Sequence, residues 1–65
     1  MNAEFLRGWI AATNHTSAMA DKQWAGYSRH LTDSERETLE QDGFRSGWEM
    51  GQAWRAMYGH AGSNL

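Results

Sequence analysis

Asp42-Gly43-Phe44-Arg45-Ser46-Gly47-Trp48-Glu49-Met50-Gly51-Gln52 sets three glycines four residues apart inside a chain of 65. In a soluble helix each interior glycine costs about 1 kcal/mol relative to alanine, so a helix that keeps three gains something from the missing side chains. The expected gain is close backbone approach, since bare positions one turn apart form a groove for a second helix or an indole ring. Two occupants of the Gly43/Gly47/Gly51 groove are open at this point: another helix of the same chain, or a partner or second copy.

Working outward, Thr32-Asp33-Ser34-Glu35 matches the capping box, in which the threonine oxygen accepts from the Glu35 N–H and the glutamate accepts from the Thr32 N–H. From Asp33 a helical pattern runs to about Tyr58 through Leu39, Gly43, Gly47, Met50, Trp54 and Met57. Asp42-Gly43 is also a helix-stop signal, so a break there is the alternative; the continuous long helix is the expectation adopted. Upstream, residues 17–30 place Ala20, Trp24, Tyr27 and Leu31 at spacings of four, three and four, with Lys22, Gln23, Arg29 and His30 opposite. Residues 2–13 gather Phe5, Leu6, Trp9, Ile10 and Thr13 on one face at roughly 100° per residue. Between these segments, Thr13-Asn14-His15-Thr16-Ser17 is a polar break with an N-cap at Thr16 or Ser17.

Valine and proline are absent and Ile10 is the single isoleucine, which removes the usual strand formers. The fold class is therefore all-α: a compact three-helix domain over residues 1–58, with a long C-terminal helix and a flexible tail at 59–65. A chain this short buries only about 60% of the surface it exposes when unfolded, so its core must be dense. Four tryptophans, two tyrosines and two phenylalanines supply that density, with Trp9, Trp24, Tyr27, Leu39, Met50 and Trp54 as the expected core.

Several function classes are disfavoured by composition. Zero cysteines exclude disulfides, thiolate metal sites and a cysteine nucleophile. Six Lys+Arg against eight Asp+Glu leave a net charge of −2, which offers no general attraction to a phosphate backbone. No apolar stretch is long enough for a signal peptide or membrane span, and a cytoplasmic protein is expected. His15, His30 and His60 are too far apart in sequence to pair on one helical face, so no metal or other cofactor is expected. Asp33, Glu35, Glu37, Glu40 and Asp42 form the polar face of a capped helix rather than a catalytic pair, and the chain is read as non-enzymatic.

What is left is a binding surface. On the C-terminal helix Phe44, Trp48 and Arg55 lie about a quarter-turn from the core stripe, and tryptophan and arginine are enriched where proteins bind one another. These three are the candidate protein-binding residues, with Met19 a further candidate because it falls off the apolar stripe of its own helix. The competing reading packs the first two helices on both stripes. A second feature is an internal echo: Phe5-x-x-Gly8-Trp9-x-x-Ala12 and Phe44-x-x-Gly47-Trp48-x-x-Gly51 stand thirty-nine residues apart. Either two helices meet through their Gly-Trp faces, or the likeness is chance.

The stretch Leu31 to Tyr58, with Thr32-Asp33-Ser34-Glu35-Arg36-Glu37-Thr38-Leu39-Glu40 followed by Gly43-Phe44-Arg45-Ser46-Gly47-Trp48-Glu49-Met50-Gly51-Gln52-Ala53-Trp54, resembles the small accessory proteins of bacteriophage and prophage genomes. Many of these carry a helix of the form Phe-x-x-Gly-Trp-x-x-Gly. The resemblance implies a small, cofactor-free protein that binds and disables one host protein, such as a CRISPR complex (an anti-CRISPR, anti-defence role), transcription machinery or a division protein, in the bacterial cytoplasm. A second resemblance, to ribosome modulation factor, rests on Arg7-Gly8-Trp9 and Gly26-Tyr27; that family is strongly basic, and this chain is net negative. The expectation is an inhibitor that occupies the surface of a host protein. The alternatives are a homodimer or virion component paired through Gly43, Gly47 and Gly51, and a ribosome-associated factor.

Overall fold

Each helix begins on a side chain that the local sequence supplies, except the last. Asn2 Oδ1 accepts from the Glu4 and Phe5 N–H groups at 2.8 and 3.4 Å and opens α1, Ala3–Thr13. Asn14 closes it in the left-handed region (φ 63°), its N–H donating to the Ile10 carbonyl. The Thr16 hydroxyl accepts from Met19 N–H and opens α2, Ser17–Tyr27. The capping box at Thr32 and Glu35 forms as expected, at 2.9 and 3.1 Å, and opens α3, Asp33–Gln41. Helix α4, Phe44–Trp54, starts without a side-chain cap and runs into a single π-helical turn, Arg55–Gly59. This computed structural model describes residues 1–59; the tail expected to fray lies, from residue 60 on, outside the described residues. Among the described residues there is no strand, and the fold is all-α.

The long C-terminal helix is corrected to two. Gly43 takes φ 76° and ψ −142°, a backbone region essentially closed to residues with a Cβ, and the chain turns there before its carbonyl accepts from Gly47 N–H to start α4. An unbroken helix would carry Gly47 and Gly51 straight on along the α3 axis. The turn lays them on α1 instead, and the α1–α4 contact is the most extensive in the molecule.

Glycine makes that contact possible. A Cβ on Gly47 would overlap the Phe5 carbonyl oxygen and lie 2.7 Å from its carbon. A Cβ on Gly8 would overlap the Phe44 carbonyl oxygen and lie 2.6 Å from the Trp48 nitrogen. At Gly51 it would meet the Ala12 Cβ at 2.9 Å. Contacts therefore advance together along both helices, from Phe5 opposite Gly47 to Ala12 opposite Gly51, so α1 and α4 run parallel. A parallel pair cannot be joined by a tight turn, and α2 with α3 forms the crossover.

The core lies on one side of the pair. Phe5, Trp9, Ala20 and Trp24 are buried, with Leu6, Ile10, Tyr27, Leu31, Leu39, Met50 and Trp54 packed around them. Trp24 stands 4.7 Å from Phe5 and 5.7 Å from Trp9 between ring centroids, and Trp54 is 6.4 Å from Trp9. Tilted and edge-on pairs of this kind contribute about 0.5–1.5 kcal/mol each beyond the area they bury. All six expected core residues are in place; Phe5, Ala20, Leu6, Ile10 and Leu31 complete the set. Met57, expected on the core stripe, is 63% exposed, because the π turn adds a residue per turn and rotates this end of the helix out of the α-helical register.

Two substitutions separate the roles of glycine. Gly47→Ala should destabilise by about 3 kcal/mol or more, enough to unfold most of a domain this small. Gly26→Ala, where a Cβ meets nothing within 4 Å, should stabilise by about 0.5–1 kcal/mol. Urea melts followed by far-UV circular dichroism read both.

Acid should loosen α3 first at its start. The Thr32 backbone N–H, donated to the Glu35 carboxylate, holds that group below the usual glutamate range, with the Thr32 hydroxyl and the nearby His30 acting in the same direction. A depressed folded-state value means that the unfolded chain takes up the proton more readily. The cap's contribution is therefore complete above the ordinary glutamate range and fades as pH falls through the lowered value. Glu35→Gln should remove this component of the acid dependence, measured as melting temperature against pH.

Candidate functional site

The turn at Gly43 and the glycine seam together decide where each face of α4 points. Gly47 and Gly51 face α1, while Met50 and Trp54 reach the core. Phe44 and Trp48, one helical turn apart, are left 48% and 40% exposed. Trp9 and Trp24 are satisfied inside the fold: the Trp9 indole N–H donates to Gln23 Oε1 at 2.8 Å and that of Trp24 to Glu40 Oε2 at 2.7 Å. Among the described residues the Trp48 indole N–H has no intramolecular acceptor. A ring that is half in water with a free donor is the kind that anchors a protein contact.

The other two expected members of the surface are exposed as well. Arg55 sits in the π turn, and its Nη1 donates to the Ala12 carbonyl at 3.1 Å. That carbonyl is among the last of α1, which have no N–H donor within their own helix, and a guanidinium there also suits the helix dipole. Arg55 thus ties α4 to the end of α1 while remaining exposed. Met19 is exposed, as expected, and stands in the first turn of α2. The Gly43/Gly47/Gly51 groove is also settled: α1 fills it at Gly47 and Gly51, while Gly43 serves as the turn and meets only the Glu4 Cβ, at 3.5 Å. No open groove remains there for a second copy.

Sequence reasoning missed a shallow concavity of about 390 Å³ lined by Lys22, Gln23, Gly26, Tyr27, Trp54 and Tyr58. Its signal was the pair Gly26-Tyr27, a bare position beside an aromatic ring, but the π turn that brings Tyr58 over it has no signature in the pattern. Beneath it Gln23 bridges two rings, accepting from Trp9 and donating from Nε2 to His15 Nδ1 at 2.8 Å. Because an indole only donates, the amide orientation is set, and His15 must accept at Nδ1 and carry its proton on Nε2. Among the described residues no three His, Cys, Asp or Glu side chains come together as a metal site, and no buried side-chain polar atom lacks a partner. No helix there is long and apolar enough to cross a membrane.

Compared with known families, curated proteins and solved structures, the chain matches none.

The bridge has a measurable consequence. Gln23→Ala should cost about 1–3 kcal/mol, since it strands the fully buried Trp9 N–H. Nitrogen-15 spectra of His15 above neutral pH should show Nδ1 unprotonated in the native chain and a mixture of tautomers in the variant.

Proposed function

We propose that this chain is a non-enzymatic binding protein that acts by occupying the surface of one partner protein, with Phe44 and Trp48 as its anchors. One observation carries the reading. In a domain with so few residues to build a core, Trp9, Trp24 and Trp54 are drawn inward, while Phe44 and Trp48 stay on the outer face of α4. Leaving two large rings in water costs stability that the core could have used, and such pairs mark contact sites.

The partner is a host protein and the outcome inhibition, as in the phage accessory proteins that the α3–α4 stretch resembles. Anti-defence proteins, including anti-CRISPR proteins, and blockers of transcription or division belong to that class. Blocking by occupancy needs no covalent chemistry, metal or cofactor, and the bacterial cytoplasm is where such a target is met. The net charge of −2 argues for a protein rather than a nucleic acid as partner.

Trp48→Ala and Phe44→Ala should each cost about 1–2 kcal/mol and leave the chain folded, because both side chains are only partly buried. Each should nevertheless abolish capture of a stoichiometric protein by tagged chain from nuclease-treated bacterial lysate. Equal capture by Trp48→Ala and native chain would remove the site assignment.

A further inference from the structure

The α1–α4 pair has a symmetry that the rest of the fold uses once. The two Phe-x-x-Gly-Trp-x-x-small segments, thirty-nine residues apart, make reciprocal contacts. Gly8 faces the Phe44 carbonyl and Gly47 faces the Phe5 carbonyl, while Ala12 and Gly51 face each other. For parallel helices this pattern means an approximate two-fold axis running lengthwise between them. Rotation about it exchanges α1 with α4 and carries the Phe5/Trp9 side of the pair onto the Phe44/Trp48 side.

Helix α2 covers only the first of these sides. Ala20 is fully buried and Trp24 3% exposed, and the Trp24 ring lies against both Phe5 and Trp9. The equivalent rings, Phe44 and Trp48, have no such helix among the described residues. We propose that the Phe44/Trp48 side docks an amphipathic helix of the partner protein, seated as α2 is on Phe5 and Trp9, with a small and an aromatic residue four positions apart in its apolar stripe. This rests on the binding function proposed above and names the shape of what is bound.

Two features define the guest further. The patch is continuous with the α1–α4 interface, because the Trp48 backbone is part of the seam at Gly8. Its flank differs from the covered side: the counterparts of Leu6 and Ile10, which pack against the core, are Arg45 and Glu49, paired at 3.6 Å and exposed. The guest helix therefore carries charges on that edge, acidic opposite Arg45 and basic opposite Glu49. This requirement distinguishes it from α2 itself, whose seat is apolar there.

The test uses a synthetic peptide spanning residues 16–31 of this chain, which keeps Ala20 and Trp24, with Glu and Lys placed to meet Arg45 and Glu49. Titrated into nitrogen-15-labelled full chain, it should shift Phe44, Arg45, Trp48 and Glu49 and gain helicity. Trp48→Ala in the protein, or Trp24→Ala in the peptide, should each weaken binding at least tenfold, and reversing the two added charges should weaken it several-fold. No shifts up to the solubility limit of the peptide, shifts confined to the surroundings of Phe5 and Trp9, or self-association through Trp48 would each overturn the proposal. If Trp48→Ala loses its captured protein but a crosslinker at position 48 reaches a loop or strand of that protein, the helical guest is wrong and the binding function stands. If capture survives Trp48→Ala and the peptide fails, both are wrong.

Discussion

Everything in this molecule depends on the approach of α1 and α4 at backbone distance. Gly8 and Gly47 each admit the carbonyl of the opposite helix into the space of a missing Cβ, and Gly51 admits the Ala12 methyl. The helices lose intrinsic propensity at each glycine, and dense van der Waals contact along the seam offsets it. With the axes this close, few side chains fit between them. The aromatic residues are splayed to the two sides of the pair, and the fold then covers one side.

That geometry accounts for the connection as well. A parallel pair obliges the chain to return to its starting end, and α2 and α3 do so while supplying the cover. Their attachment is partly polar. Gln23 and Glu40 accept the indole N–H groups of Trp9 and Trp24, so the two most deeply buried tryptophans are held by one directional bond each in addition to their apolar contacts. A buried indole without an acceptor would lose about 1–3 kcal/mol, a large fraction of what a domain of this size has in reserve. Arg55 closes the far end of the seam by reaching the Ala12 carbonyl.

The uncovered side arises from the same constraint. Because Phe44 and Trp48 are related to Phe5 and Trp9 by the symmetry of the pair, their exposure comes from there being one covering helix among the described residues. The flank there is polar at Arg45 and Glu49, which limits the apolar surface shown to water while leaving the two rings accessible. The buried rings and the exposed rings are thus two uses of one packing motif.

Much of this was legible in the residues. The absence of valine and proline, the caps at Thr16 and Thr32, and the stripes through Trp9, Trp24 and Trp54 determined an all-α fold and most of its core, because helix starts and amphipathic periods are local properties. Phe44 and Trp48 could be picked out as a second stripe for the same reason. The break at Gly43 could not be decided locally, since Asp42-Gly43 satisfies both a helix interior and a stop. Only the burial gained by laying Gly47 and Gly51 on α1 settles it. The tertiary structure alone also placed Arg55 on the Ala12 carbonyl, turned Met57 out through the π turn and filled the glycine groove from within. Each of these depends on what a distant segment brings within reach, and no pattern along the chain encodes that distance.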